Sequence, residues 1–228
     1  MGGNGAKSSL RSNSKGYEQK HFGQRNIKIS DRFYESDVDS KRRSEYMEGL
    51  EELSKDFDMF KTTELNVEIE KMKSTWIGYS TSGKLAINED VITGKSSYSK
   101  GNGSLAWHSA HELAHQIQDR IIERAMIKGE YANVSKFHGD RKNGSVTIKK
   151  ILVDANKKAN KIEGVNKTVY DRLQSISSYA NPKNKYTGST WREGHSEAIG
   201  KYIQSHRSSS DTFGRLVYEE TLRRYNNG

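Results

Sequence analysis

The sequence predicts an α+β fold, in which a small, mostly antiparallel sheet packs on one long helix and a mainly helical part follows. Three observations lead there. Between about residues 64 and 88, apolar residues alternate with polar ones, which is the two-residue period of half-buried strands. Elsewhere they recur at three- and four-residue steps, the period of amphipathic helices. The 228 residues include one proline and only 32% hydrophobic residues, enough for one core with much of the length solvated.

Residues 1–29 are rich in Gly, Ser, Asn and Lys. They carry too little apolar surface to offset ordering entropy, so they read as a flexible tail before a single domain over 30–228. Ser40 can cap a helix over about 41–60, with Tyr46, Leu50, Leu53, Phe57 and Phe60 along its inner side. Leu65, Val67 and Ile69 mark a first strand, and Ser74-Thr75-Trp76-Ile77-Gly78-Tyr79 a second. Thr81-Ser82-Gly83 then turns the chain into a third at Lys84-Leu85-Ala86-Ile87-Asn88. An exposed edge of such a sheet could hold an extended peptide by backbone pairing.

A polar loop over 94–103 precedes Ser104, a good N-cap for a helix from Leu105 to about Lys128 that Gly129 ends. Ala106, Ala110, Leu113, Ala114, Ile117, Ile121 and Ala125 give this helix its apolar side. Residues 130–143 have little periodicity and read as loop. Helices follow over about 146–161 and 167–177, and then a polar loop over 181–189 holds Pro182. Thr190 can cap a helix to about His206, and Ser210 or Asp211 can open a last one ending near Tyr225.

The long helix carries Trp107-His108-Ser109-Ala110-His111-Glu112-Leu113-Ala114-His115-Gln116, and within it His-Glu-x-x-His. Residues four apart share a helical face. His111 and His115 can therefore bind one zinc ion, Zn2+, while Glu112 reaches water at the metal. The chain has no cysteine, so any zinc must be held by His and carboxylate, and disulfides are excluded. A catalytic zinc takes three protein ligands and keeps one position open. Glu193 and Glu197 lie four apart on a predicted helix, and either could be the third ligand. The other could then orient a ligand histidine by a hydrogen bond. His108 shares the side of His111 and His115 and reads as a packed histidine. His138, His195 and His206 have no supporting spacing, and Trp76, Trp107 and Trp191 read as core.

Tyr179 in Ser177-Ser178-Tyr179, followed by a loop and Glu193-Gly194-His195-Ser196-Glu197-Ala198, completes a pattern of His-Glu-x-x-His, Ser-x-Tyr and Glu-x-x-x-Glu-Ala. Over about residues 64–206 this resembles the gluzincin zinc metallopeptidases of the anthrax lethal factor type. It also resembles metallopeptidase domains associated with phage head-morphogenesis proteins. The resemblance implies a zincin-like fold and a zinc endopeptidase acting on a polypeptide substrate. His111, His115 and Glu193 would be the metal ligands and Glu112 the general base. Tyr179 would stabilise the oxyanion, and Glu197 would support a ligand histidine, remaining an alternative third ligand. The loop between Tyr179 and Glu193 is longer than in the family, and Gly194 and His195 stand where it prefers bulky apolar residues.

The net charge is +9. A solvated Lys-rich surface accounts for it, and contact with nucleic acid is the sharper reading. The densest basic clusters, Lys41-Arg42-Arg43 and Lys157-Lys158, make no recognised nucleic-acid motif. No apolar run approaches the roughly 20 residues that span a bilayer, and the first residues lack the apolar core of a secretory signal. With the resemblance, these features lead us to expect a cytoplasmic or phage-particle-associated protein. A phage structural domain that keeps the fold without catalysis, and a basic nucleic-acid-binding accessory protein, are the alternatives to the enzyme.

Overall fold

The computed structural model describes residues 17–18, 25–96, 104–184 and 190–227. Five strands form one sheet: β1 (Tyr17–Glu18), β2 (Ile27–Ser30), β3 (Leu65–Glu70), β4 (Gly78–Thr81) and β5 (Lys84–Asn88). Their spatial order is β1-β2-β3-β5-β4. The outer pairs β1·β2 and β5·β4 are antiparallel, whereas β2·β3 and β3·β5 are parallel. The sheet is therefore mixed, and the expectation of a mostly antiparallel one is corrected. Connection geometry gives the reason. The chain between β2 and β3 is long and helical, as a parallel crossover requires. After β3 the chain passes to the outer position of β4, and the turn at Ser82 and Gly83 sends β5 back between them. Alternation of side chains reports which residues face inward but carries no strand direction.

Between β2 and β3 lie a 3-10 turn (Asp31–Tyr34), α1 (Ser40–Ser54) and α2 (Met59–Thr62). The expected helix over 41–60 is thus two helices, and its N-cap is Asp39, whose side chain accepts from the Arg42 amide at 3.0 Å. The break is held from the far end of the chain. Tyr225 accepts from the Met59 amide at 2.9 Å and donates to the Asp58 carboxylate. Ile27 and Ile29 are fully buried in β2, so the end of the expected tail belongs to the sheet; residues 1–16 and 19–24 lie outside the described residues.

Beyond the sheet come α3 (Glu89–Ile92), α4 (Leu105–Ile127), α5 (Val134–Asn143), α6 (Thr147–Glu163), α7 (Val169–Ile176), α8 (Trp191–Gln204) and α9 (Thr212–Asn227). α4 begins at the expected cap, with Ser104 Oγ accepting from the Ala106 amide at 3.0 Å. α5 occupies a stretch that reads as loop, because few of its apolar residues turn inward: of its side chains only Phe137 and Asp140 are buried. Of the expected loop over 94–103, residues 97–103 lie outside the described residues, as do 185–189 of the loop around Pro182.

α4 packs chiefly on α1 and α8, and α6 on α9. The apolar residues of α4 (Ala110, Leu113, Ala114, Ile117 and Ile121) join Val67, Leu85 and Ile87 of the sheet and Leu50 and Leu53 of α1 in one buried cluster running from Ile27 to Tyr225. Burial of this kind stabilises by about 1.5–3 kcal/mol per large side chain, which holds α4 rigidly between the sheet and α8. No helix among the described residues is long and apolar enough to cross a membrane.

Candidate metal centre

His111 and His115 stand one turn apart on α4, with ring centroids 5.0 Å apart and planes at 81°. α8 brings the carboxylates. Thr190 caps that helix by accepting from the Glu193 amide at 3.3 Å, which places Glu193 in the first turn, against α4. Glu193 Oε2 lies 3.2 Å from His111 Nε2 and 3.5 Å from His115 Nε2. One ligand atom from each of the three falls within 4.8 Å of the others, so this group could hold a metal ion.

Glu197 approaches the other side of the same ring, its Oε1 3.5 Å from His111 Nδ1, and it accepts from Ser177 Oγ at 3.3 Å. The two carboxylates left open by sequence are thereby told apart. Glu193 faces the Nε2 atoms of both histidines, and Glu197 faces the opposite nitrogen of one. The second nitrogen of His115 is held as well, 3.1 Å from Gln118 Oε1. Two imidazole nitrogens and a carboxylate oxygen that converge, each ring fixed from behind, make a donor set that suits Zn2+.

The electrostatics agree with a cation-binding position. Burial opposes charge on His111, but its hydrogen bond to Glu193 and the fields of Glu112 and Glu197 prevail, and its pKa is pushed up to about 9. Burial likewise acts to raise Glu193, yet hydrogen bonds to His111 and His115 hold it well below the usual carboxylate range. Glu112 and Glu197 are both raised, chiefly by desolvation. The site thus keeps one ionised carboxylate facing the imidazoles, beside two carboxylates that take up protons more readily.

Glu112 lines the same cleft, a space of about 1330 Å³ bounded by α4, residues 75–80, Tyr179 and the start of α8. Tyr179 is 38% exposed and lines the cleft beside Glu193. Burial and the nearby Glu193, Glu112 and Glu197 charges raise its hydroxyl pKa. Gly194 permits this approach. A Cβ there would lie 2.5 Å from Ala180 O and 2.9 Å from a Leu173 methyl, so a bulky residue would push the Tyr179 segment off α8.

The cleft's wall is β4, an edge strand. Asn88 N donates to Ile77 O at 2.8 Å, so by the antiparallel pattern Tyr79 and Thr81 bond toward β5, and the backbone groups of Gly78 and Ser80 point outward. A Cβ on Gly78 would lie 2.4 Å from Ala86 O and 2.7 Å from His108 Nε2; glycine lets the strand come this near to α4. Trp76 is 52% exposed and lines the cleft, so its reading as core is corrected. His108 also lies at the cleft, its Nε2 3.7 Å from Glu112 Oε1 and without a hydrogen-bond partner among the described residues.

Sequence reasoning missed Gln118, Arg192, His195 and Ser196, which form a buried polar network behind His115. The available signals were the three-residue step from His115 to Gln118 and the adjacency of Arg192 to Glu193, neither of which is diagnostic. Comparison with protein-family models, with curated proteins and with solved structures finds no match.

Proposed function

We propose that the protein is a zinc-dependent endopeptidase whose metal is held by His111, His115 and Glu193. One observation carries the reading. Two helices far apart in sequence, α4 and α8, direct His111 Nε2, His115 Nε2 and Glu193 Oε2 to a common point, with Glu112 beside it on the open cleft. A metal bound there supplies Lewis-acid polarisation of a carbonyl and acidification of water.

The chain's own groups do the rest. Glu112, raised by desolvation, is a stronger base than a solvated carboxylate. It accepts a proton from the attacking water and passes it to the leaving amine. The Tyr179 hydroxyl is kept protonated by its surroundings and can donate to the oxygen on which negative charge develops. Glu197 holds His111 from behind. The outward backbone groups of Gly78 and Ser80 suit an extended polypeptide added as a further strand, and exposed Trp76 offers an apolar surface to one of its side chains.

The test is metal analysis of the purified protein beside Glu193→Ala, followed by a peptide-library cleavage assay with Glu112→Gln as control. The parent should carry about one zinc per chain and cleave. Glu193→Ala should lose metal, and Glu112→Gln should retain metal but lose hydrolysis. Full zinc in Glu193→Ala would refute the ligand set, and parent-like cleavage by Glu112→Gln would refute the base.

A further inference from the structure

We propose that Gln118 is a positioning residue that sets the tautomer of His115, and that Arg192 sets the orientation of Gln118. The inference rests on the metal-site reading above and adds to it the device that readies one ligand. An amide side chain can lie either way round, and a neutral imidazole can carry its proton on either nitrogen. Here both choices are decided by groups that have none.

Gln118 lies between two groups of Arg192. Arg192 Nε, which can only donate, reaches Gln118 Oε1 at 2.9 Å. Arg192 O, which can only accept, receives Gln118 Nε2 at 2.9 Å. Turning the amide over would set donor against donor at one contact and acceptor against acceptor at the other. Oε1 must therefore face His115 Nδ1, 3.1 Å away. An acceptor there requires Nδ1 to carry a proton, so in the neutral ring the lone pair is on Nε2, where a metal would take the place of the proton that the charged ring shares with Glu193.

The same logic extends to α9. Thr221 Oγ1 donates to Val217 O at 2.6 Å, so toward His195 Nε2, at 2.8 Å, it accepts. His195 Nδ1 is then an acceptor for Gln118 Nε2 at 2.9 Å. Ser196 Oγ accepts from Gln118 Nε2 at 2.9 Å; 3.3 Å from His115 Nδ1, its hydroxyl can turn either way and so leaves the choice at that nitrogen to the closer Gln118 Oε1. Gln118, His195 and Ser196 are buried, so no water competes for these choices. Arg192 is itself fixed by Asp119 at 2.7 Å and donates to His115 O at 3.2 Å, tying the start of α8 to the turn of α4 that carries His115.

The experiment reads histidine tautomers by long-range proton–nitrogen correlation in the metal-free, full-length protein in mildly alkaline buffer. The same proteins are then titrated with zinc against a chromogenic chelator. In the parent His115 should carry its proton on Nδ1. Gln118→Met, which removes the acceptor at similar volume, should move the proton to Nε2 and weaken zinc binding by about 10–100-fold. Gln118→Glu restores an acceptor and should keep the Nδ1–H form with a smaller loss of affinity. A proton on Nε2 in the parent would overturn the proposal without any variant being needed, as would Gln118→Met with parent-like tautomer and affinity. An Nδ1–H His115 in a parent that binds no zinc would uphold the clamp and overturn the metal reading instead.

Discussion

Replacing Gly194 with Ala sets two physical effects against each other at one atom. Helix propensity favours the change, since Ala is better than Gly in a helix by about 1 kcal/mol. Packing opposes it. The added Cβ would sit 2.5 Å from Ala180 O and 2.9 Å and 3.4 Å from the two Leu173 methyls. The first contact is with backbone, which cannot rotate away, so α8 and the segment through Ala180 must separate by several tenths of an ångström. Overpacking of this kind costs about 1–3 kcal/mol, and the net change should be a loss of up to about 2 kcal/mol. For a chain of this size that is a fall in melting temperature of up to roughly 4–8 °C. Because Tyr179 and Ser177 ride on the displaced segment, zinc affinity and cleavage should fall as well. Gly139 is the internal control. It lies in α5, and a Cβ there meets nothing within 4 Å, so Gly139→Ala should stabilise by about 0.5–1 kcal/mol. Thermal and urea unfolding of both variants decide the matter. If Gly194→Ala gains stability as Gly139→Ala does, the close approach of α8 to Ala180 is not real, and the placement of Tyr179 falls with it.

Tyr225→Phe should cost about 1–3 kcal/mol, because the partly buried Met59 amide and the Asp58 carboxylate both lose their partner; unfolding indistinguishable from the parent would refute the role given to Tyr225 at the α1–α2 break. The metal-free protein should lose stability as pH climbs above 6.5. His195 is pushed down from its ordinary 6.5 to about 3, first by burial and then by the charges of His115 and Arg192. Its unfolded form takes up protons first, so its own contribution falls as pH drops below 6.5, while the raised Glu112 and Glu197 act in the opposite direction there. His111 is raised to about 9, so its contribution is complete below 6.5 and is lost as pH climbs through about 9. Urea unfolding of chelator-treated protein from about pH 6.5 to 9.5 should show stability falling across the range, and a flat or rising profile would contradict it. Gly78→Ala should push β4 off β5 and His108 and raise KM for a peptide substrate more than it lowers kcat; an unchanged KM would remove β4 from the substrate-binding surface.

Much of the fold is legible because short-range chemistry writes it. Ser104 and Thr190 each cap a helix through their own side chains, and alternation marks β3 and β5 where they stand. The illegible parts depend on partners distant in sequence. The α1–α2 break depends on Tyr225, more than 160 residues away. Ile27 and Ile29 lie in a stretch otherwise poor in apolar residues and become a strand by pairing beside β3. The direction of the strands is set by connection lengths, to which side-chain alternation is blind.

Sequence alone determined the chemistry available at the centre: two histidines on one helical face, a carboxylate between them, no thiol in the chain, and two further carboxylates four residues apart. These follow from residue identity and helical periodicity, which need no knowledge of the rest of the molecule. Tertiary structure decided where each carboxylate sits. The packing of α8 on α4 turns Glu193 to the Nε2 side of both imidazoles and leaves Glu197 behind His111. It also puts Gln118 between His115 and Arg192. A shared helical face tells which side chains travel together, but only the crossing of two helices tells which atom each will meet.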